Sequence, residues 1–152
     1  MSKDIQVRKA QLADAQFIAD ANYAMALETE NFELDKPTVL AGVKAVFLND
    51  ARGSYMVTEV NGQVVGCLLL TYEWSDWRNK QTAWIQSLYV LPQFRGLGAF
   101  KAMFKKVEER VESGEFAGVR LYVDSTNTKA QDVYSKLGMN GEHYKIFEKM
   151  ND

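Results

Sequence analysis

Between Val90 and Phe100 an apolar stretch ends, Pro92 breaks the run, Gly96 and Gly98 follow, and an amphipathic segment begins at Ala99. Beyond it, Phe100, Met103, Phe104, Val107 and Val111 recur at helical spacing, and Gly114 closes the pattern from the position just past a helix end. Val119-Arg120-Leu121-Tyr122-Val123 then reads as a strand. A strand–helix–strand unit of this length requires a parallel pair joined by a right-handed crossover, so the chain belongs to a fold that mixes helices with a sheet. The loop itself has the makings of an anion site. A helix start presents unpaired backbone N–H groups and the positive end of the helix dipole. Gly96 and Gly98 lack the Cβ atoms that would hold a phosphate off, and Arg95 adds a cation. Neither common nucleotide loop fits: no Gly-Lys-Ser/Thr follows, and Lys101 stands where a dinucleotide fingerprint needs its third glycine.

The flanking sequence fills in the sheet. Ile5–Arg8 alternates as a short strand. Phe17, Ile18, Ala21, Ala24 and Met25 mark a helix from Asp14, and Pro37-Thr38 opens a second one carrying Val39, Leu40, Val43, Val46 and Phe47. Tyr55–Val60, Asn61-Gly62 and Gln63 onward form a hairpin signal, since Asn-Gly supplies the positive φ angles of a tight type I′ turn. The second strand runs toward Tyr72, and Glu73–Lys80 reads as a polar, aromatic loop before a strand from Ala83 to Val90. Ala130, Val133, Tyr134 and Leu137 give a last short helix stopped by Gly138, and Tyr144–Met150 alternates as a closing strand. The fold class is α/β: a mixed, mostly antiparallel central sheet flanked by helices, with one parallel strand–helix–strand unit, in a single domain over residues 1–152.

Composition removes several functions. With a net charge of −2 the chain lacks the basic excess that nucleic acid or an anionic membrane attracts. Cys67 is the only cysteine and lies in an apolar run, and His143 is the only histidine, so neither a disulfide, a Cys/His metal cluster nor a thiol nucleophile is expected. No apolar run approaches the roughly 20 residues of a membrane span, and Met1–Ile5 lacks a signal-peptide core. A cytoplasmic protein is expected.

Gln93, Gly96 and Gly98 occupy the fixed positions of Q/R-x-x-G-x-G/A, motif A of the GCN5-related N-acetyltransferases, and Leu88-Tyr89-Val90-x-Pro92 resembles the strand that precedes it. Asn127, Ala130, Tyr134 and Leu137-Gly138-Met139 resemble motif B, N-x-x-A-x-x-x-Y-x-x-x-G-F/M. The resemblance implies acetyl-CoA as cofactor. It implies pyrophosphate binding by the backbone from Arg95 to Ala99, within a cofactor segment that includes Gln93, Phe94, Leu97 and Phe100. It further implies that the backbone of Leu88 and Val90, flanking Tyr89, pairs with the pantetheine arm, with Asn127 and Ala130 on its other side and the Tyr134 hydroxyl near the sulfur. Independently of that resemblance, Ile85 and Leu88 both look like core residues although a regular strand points them to opposite faces. An extra residue near Gln86-Ser87 would reconcile them, and such a bulge would free an N–H for the acetyl carbonyl.

Acetyl transfer to an amine needs a neutral nucleophile, a stabilised oxyanion and a proton for the departing thiolate. Tyr134 suits the last task; as an ordinary residue it would be a core aromatic. Gln86 and Ser87 stand where relatives carry a Glu, so Glu73 is the candidate base, against its reading as a solvated carboxylate. Two acidic, aromatic stretches, Glu28–Glu33 with Phe32 and Tyr72–Trp77 with Glu73, Trp74 and Asp76, suit a cationic amine by charge and cation–π attraction. Equally, the acids are solvated and the tryptophans pack on the core or at a homodimer interface. The expected acceptor is a small primary amine, a polyamine, diamine or amino acid. The alternatives are a protein N-terminus or lysine, a non-catalytic acyl-CoA-binding module, and a nucleotide-binding regulator.

Overall fold

A computed structural model describes residues 4–151. The chain divides into two compact units, Met1–Leu121 and Tyr122–Asp152.

The first unit is built on a five-stranded sheet in the order β1-β2-β3-β4-β5. Its strands are β1 (Ile5–Lys9), β2 (Ser54–Val60), β3 (Gln63–Ser75), β4 (Lys80–Val90) and β5 (Val119–Leu121). The first four pair antiparallel, and β5 runs parallel to β4. The hairpin between β2 and β3 turns at Asn61 and Gly62, with φ of 51° and 82°, as the Asn-Gly signal requires.

Helices cover both faces. Tyr55, Val57, Cys67 and Tyr89 share one face and form a buried cluster with Ile18 of α1 (Ala15–Glu30) and Val43 of α2 (Lys36–Leu48). Asp35 caps α2 by accepting from the Thr38 N–H at 3.1 Å. On the other face α3 (Ala99–Glu112) buries Met103, Phe104 and, one helical turn further on, Val107 along its apolar stripe. A Cβ on Gly66 of β3 would lie 3.4 Å from Met103. Each of these buried side chains stabilises the fold by roughly 1.5–3 kcal/mol.

The second unit contains α4 (Thr128–Lys136), capped by the Asn127 side chain, which accepts from the Ala130 N–H at 3.1 Å. Leu137 ends the helix and Gly138 follows with φ of 87°. No helix among the described residues is long and apolar enough to cross a membrane.

Two expectations are corrected. Glu73–Ser75 belong to β3 and Lys80–Thr82 to β4, paired Glu73↔Thr82, Trp74↔Gln81 and Ser75↔Lys80, so the loop shrinks to Asp76–Asn79. Polar residues at a hairpin end alternate against solvent as readily as they form a loop, and Trp74 suits a pleated surface. The second correction concerns Tyr144–Met150, which form no strand; Phe147 is 95% exposed. Alternation makes a strand only where a neighbour supplies a ladder, and the regular element of its own unit is a helix.

Candidate functional site

The end of β4 and the start of α3 create a run of unsatisfied backbone. β4 pairs with β3 along its whole length, but with β5 only at Ala83, Trp84 and Ile85. From Gln86 to Val90 its second edge has no strand partner among the described residues. An extended chain laid there would find N–H and C=O groups in ladder spacing. The edge begins at an irregularity: Leu70 pairs with Ile85 and Leu69 with Ser87, leaving Gln86 as the extra residue of a β-bulge. Gln86 itself is exposed, Ile85 buried and Leu88 half-buried, so the bulge lets both Ile85 and Leu88 pack, as their sequence positions demand.

The edge leads into the glycine loop. After a 3-10 turn over Pro92–Phe94, the Phe94 and Arg95 N–H groups close onto the carbonyls of Leu91 and Pro92. The N–H groups of Gly96, Leu97, Gly98 and Ala99 have no acceptor among the described residues. Gly96 and Gly98 have φ of 80° and 96°, a left-handed conformation that costs other residues about 1–2 kcal/mol. A Cβ on Gly96 would meet nothing within 4 Å, and one on Gly98 only Ile5 Cδ1 at 3.8 Å, so the loop's outer side is open. Free amides at a helix N-terminus facing open space fit a pyrophosphate.

The Arg95 side chain is held by partners on β4 and α1. Its Nε donates to the Val90 carbonyl at 2.9 Å and its guanidinium to Glu28 Oε2 at 2.9 Å. The Tyr89 hydroxyl donates to the other Glu28 oxygen at 2.8 Å, and the guanidinium carbon lies 5.2 Å from the centre of the Tyr89 ring. Burial pushes the Glu28 carboxyl up, but the hydrogen bonds from Arg95 and Tyr89 outweigh it and hold the group below its ordinary value. The Tyr89 phenol is raised, by burial first and by its bond to Glu28 second. The sequence pattern assigns Glu28 to the acceptor and Tyr89 and Arg95 to the cofactor segment. Nothing local joins side chains 61 and 67 positions apart, so their union was invisible there.

The other acceptor candidates lie elsewhere. Phe32 is exposed beyond the end of α1. Tyr72 stacks on Phe116 at 5.8 Å and its hydroxyl donates to the Ser54 hydroxyl at 3.2 Å. Glu73 is ion-paired with Arg120, and Trp74 and Asp76 are exposed toward the tip of the β3–β4 hairpin. Thr82, opposite Glu73, precedes Gln86 by four residues, about 13 Å along an extended strand. In the second unit, Tyr134 is half-buried one turn past Ala130, and burial raises its phenol above the ordinary value. Cys67 is buried and its thiol is pushed up to about 12, which removes it as a nucleophile at neutral pH.

The family model described as the acetyltransferase (GNAT) family matches residues 18–139. The chain belongs to the GNAT family. A crystal structure of a protein from Clostridium difficile 630, described as a possible acetyltransferase, is 39% identical and superposes with a TM-score of 0.90, covering 97% of this chain and 98% of that one. Among curated GNAT relatives, the thialysine N-epsilon-acetyltransferase of Bos taurus is 33% identical over 75 residues, 49% of this chain and 44% of that protein. An uncharacterised N-acetyltransferase of Archaeoglobus fulgidus is 30% identical over 89 residues, 58% of this chain and 60% of that one. The chain thus spans about half the length of these curated relatives. An aminoglycoside N-acetyltransferase crystallised with CoA shares the GNAT fold at 14% identity and a TM-score of 0.79, covering all of this chain and 98% of its own.

Proposed function

We propose that this chain transfers the acetyl group of acetyl-CoA to a primary amine of a small molecule. The observation that carries the proposal is the unpaired β4 edge from Gln86 to Val90 running into the free amides of Gly96–Ala99. A pantetheine arm is an extended chain with amide groups, and it ends in a pyrophosphate; the edge and the loop suit these two parts in sequence. When bound, acetyl-CoA supplies an activated acyl group. The protein's share is to hold it, to offer an N–H beside the bulge at Gln86 to the acetyl carbonyl, and to donate a proton from Tyr134 to the departing sulfur. The assignment of Tyr134 rests on its spacing from Asn127 and on a phenol that stays protonated at neutral pH.

Glu73 is already engaged by Arg120, so we assign the proton lost by the ammonium to solvent. A cationic alkylamine is the proposed acceptor. The name of the cattle relative, an acetyltransferase of a side-chain amine, supports that class. The test is thiol release from acetyl-CoA across a panel of diamines, polyamines and amino acids, with the acetylated product identified by mass. With solvent as proton acceptor, kcat/KM for the amine should rise about tenfold per pH unit from neutrality toward the amine's own pKa of about 10. A plateau near pH 7 would instead reveal a protein base. CoA binding without transfer to any amine would favour the acyl-CoA-binding module.

A further inference from the structure

The ion pair between Glu28 and Arg95 joins two parts of the first unit that the proposed reaction treats separately. Glu28 lies in the last turn of α1, and Arg95 immediately precedes the free amides of Gly96–Ala99. Both oxygens of the carboxylate are occupied, one by Arg95 and one by Tyr89, and Tyr89 sits on the unpaired edge of β4. Neither charge is deeply buried: the side chains of Arg95 and Glu28 are 47% and 40% exposed. The pair is locally neutral. A pyrophosphate arriving at the loop changes that balance, because its negative charges attract the guanidinium and repel the carboxylate. Arg95 keeps donors for a second anion, since its Nε–H and one further N–H are used and a guanidinium carries five. With its cation shared between two anions, Glu28 is left with uncompensated negative charge.

We propose that Glu28 couples the two substrates: it restrains Arg95 in the free protein and, once a pyrophosphate shares that guanidinium, attracts the ammonium group of the acceptor. This rests on the acetyltransferase reading above and adds to it a residue that selects cationic acceptors. Coupling free energies between sites commonly correspond to about 5–150-fold in affinity, and exposure and salt place this pair near the lower limit, about 5–10-fold. Linkage makes the effect reciprocal, so the amine tightens CoA by the same factor.

The test is calorimetry on the intact protein with CoA and 1,5-diaminopentane, a pair that cannot react. In the wild type the diamine should bind about 5–10-fold tighter to the CoA-saturated protein than to the free one, and an uncharged diol of the same length should show no such gain. Glu28→Gln removes the repulsion and frees the guanidinium, so CoA should bind about 3–10-fold tighter while the diamine coupling disappears. Arg95→Gln should weaken CoA and also abolish the coupling, because Glu28 is then unrestrained throughout. Should Glu28 be only a brace for the loop, Glu28→Gln would weaken CoA and leave the coupling intact, and either result overturns the proposal. Melting temperatures confirm that both variants are folded. A wild type that binds no CoA would remove the acetyltransferase reading itself, whereas CoA binding without coupling would remove this inference alone.

Discussion

Tyr134 stands one turn beyond Ala130 on α4, and its phenol is held above its ordinary value by burial. A phenol titrating above about 10 remains a proton donor throughout the neutral range. Tyr134→Phe keeps the ring and deletes only the donor. The expected result is a fall of roughly 10²–10⁴-fold in kcat with CoA affinity and melting temperature near native. In the wild type, no alkaline decline assignable to this group should appear below about pH 10. Native kcat in the variant, under conditions where chemistry limits turnover, would make Tyr134 a packing aromatic. Single residues were unevenly legible. Cys67 and the glycines of the loop could be read because burial and positive φ follow from local pattern. Glu73 and Tyr72 could not, because their partners Arg120 and Phe116 arrive from distant segments.

Among the elements, β4 carries the account. Gln86 is an extra residue against β3, and the unpaired edge starts there. Deleting Gln86 should let the two strands pair evenly, with the melting temperature kept within a few degrees. It should also cost about 10²–10³-fold in kcat, the usual worth of one oxyanion donor. Full activity in the deletion variant would show that the bulge serves packing alone. The end of β1 makes a different prediction. Arg8 holds Asp14 at 2.8 Å and Glu59 at 2.7 Å, tying the entry of α1 to the sheet. The hydrogen bond from Arg8 is the main cause that holds the Asp14 carboxyl below its ordinary value. A depressed carboxyl stabilises the fold above the unfolded-state pKa, and the contribution is lost as pH falls through the folded value. Asp14→Asn should therefore cost roughly 1–2 kcal/mol at pH 7, allowing for partial exposure, and progressively less as the pH falls from about 4 toward 2. Chemical denaturation at these pH values measures this, and a cost that does not depend on pH would assign Asp14 a packing role instead.

At the scale of the molecule, most of the α/β layout was legible because it rests on local signals. Asn61-Gly62 demands its turn, the apolar stripe from Phe100 to Val107 demands a helix, and Gly96 and Gly98 demand a loop between β4 and α3. Tyr144–Met150 misled because alternation records a face and says nothing about a partner. The juxtaposition of Glu28, Tyr89 and Arg95 was hidden for the opposite reason: it is produced entirely by α1 packing on β4. The proposal that unites these observations is a cofactor held by backbone, along one strand edge and across one helix start. An amide-resolved NMR titration of the 152-residue chain with CoA tests that claim most directly. Saturable shifts should concentrate at the amides of Gly96, Leu97, Gly98 and Ala99 and along Gln86–Val90, and a folded Gly98→Val variant should lose them. Shifts that spare both segments, or that persist unchanged in Gly98→Val, would contradict the account.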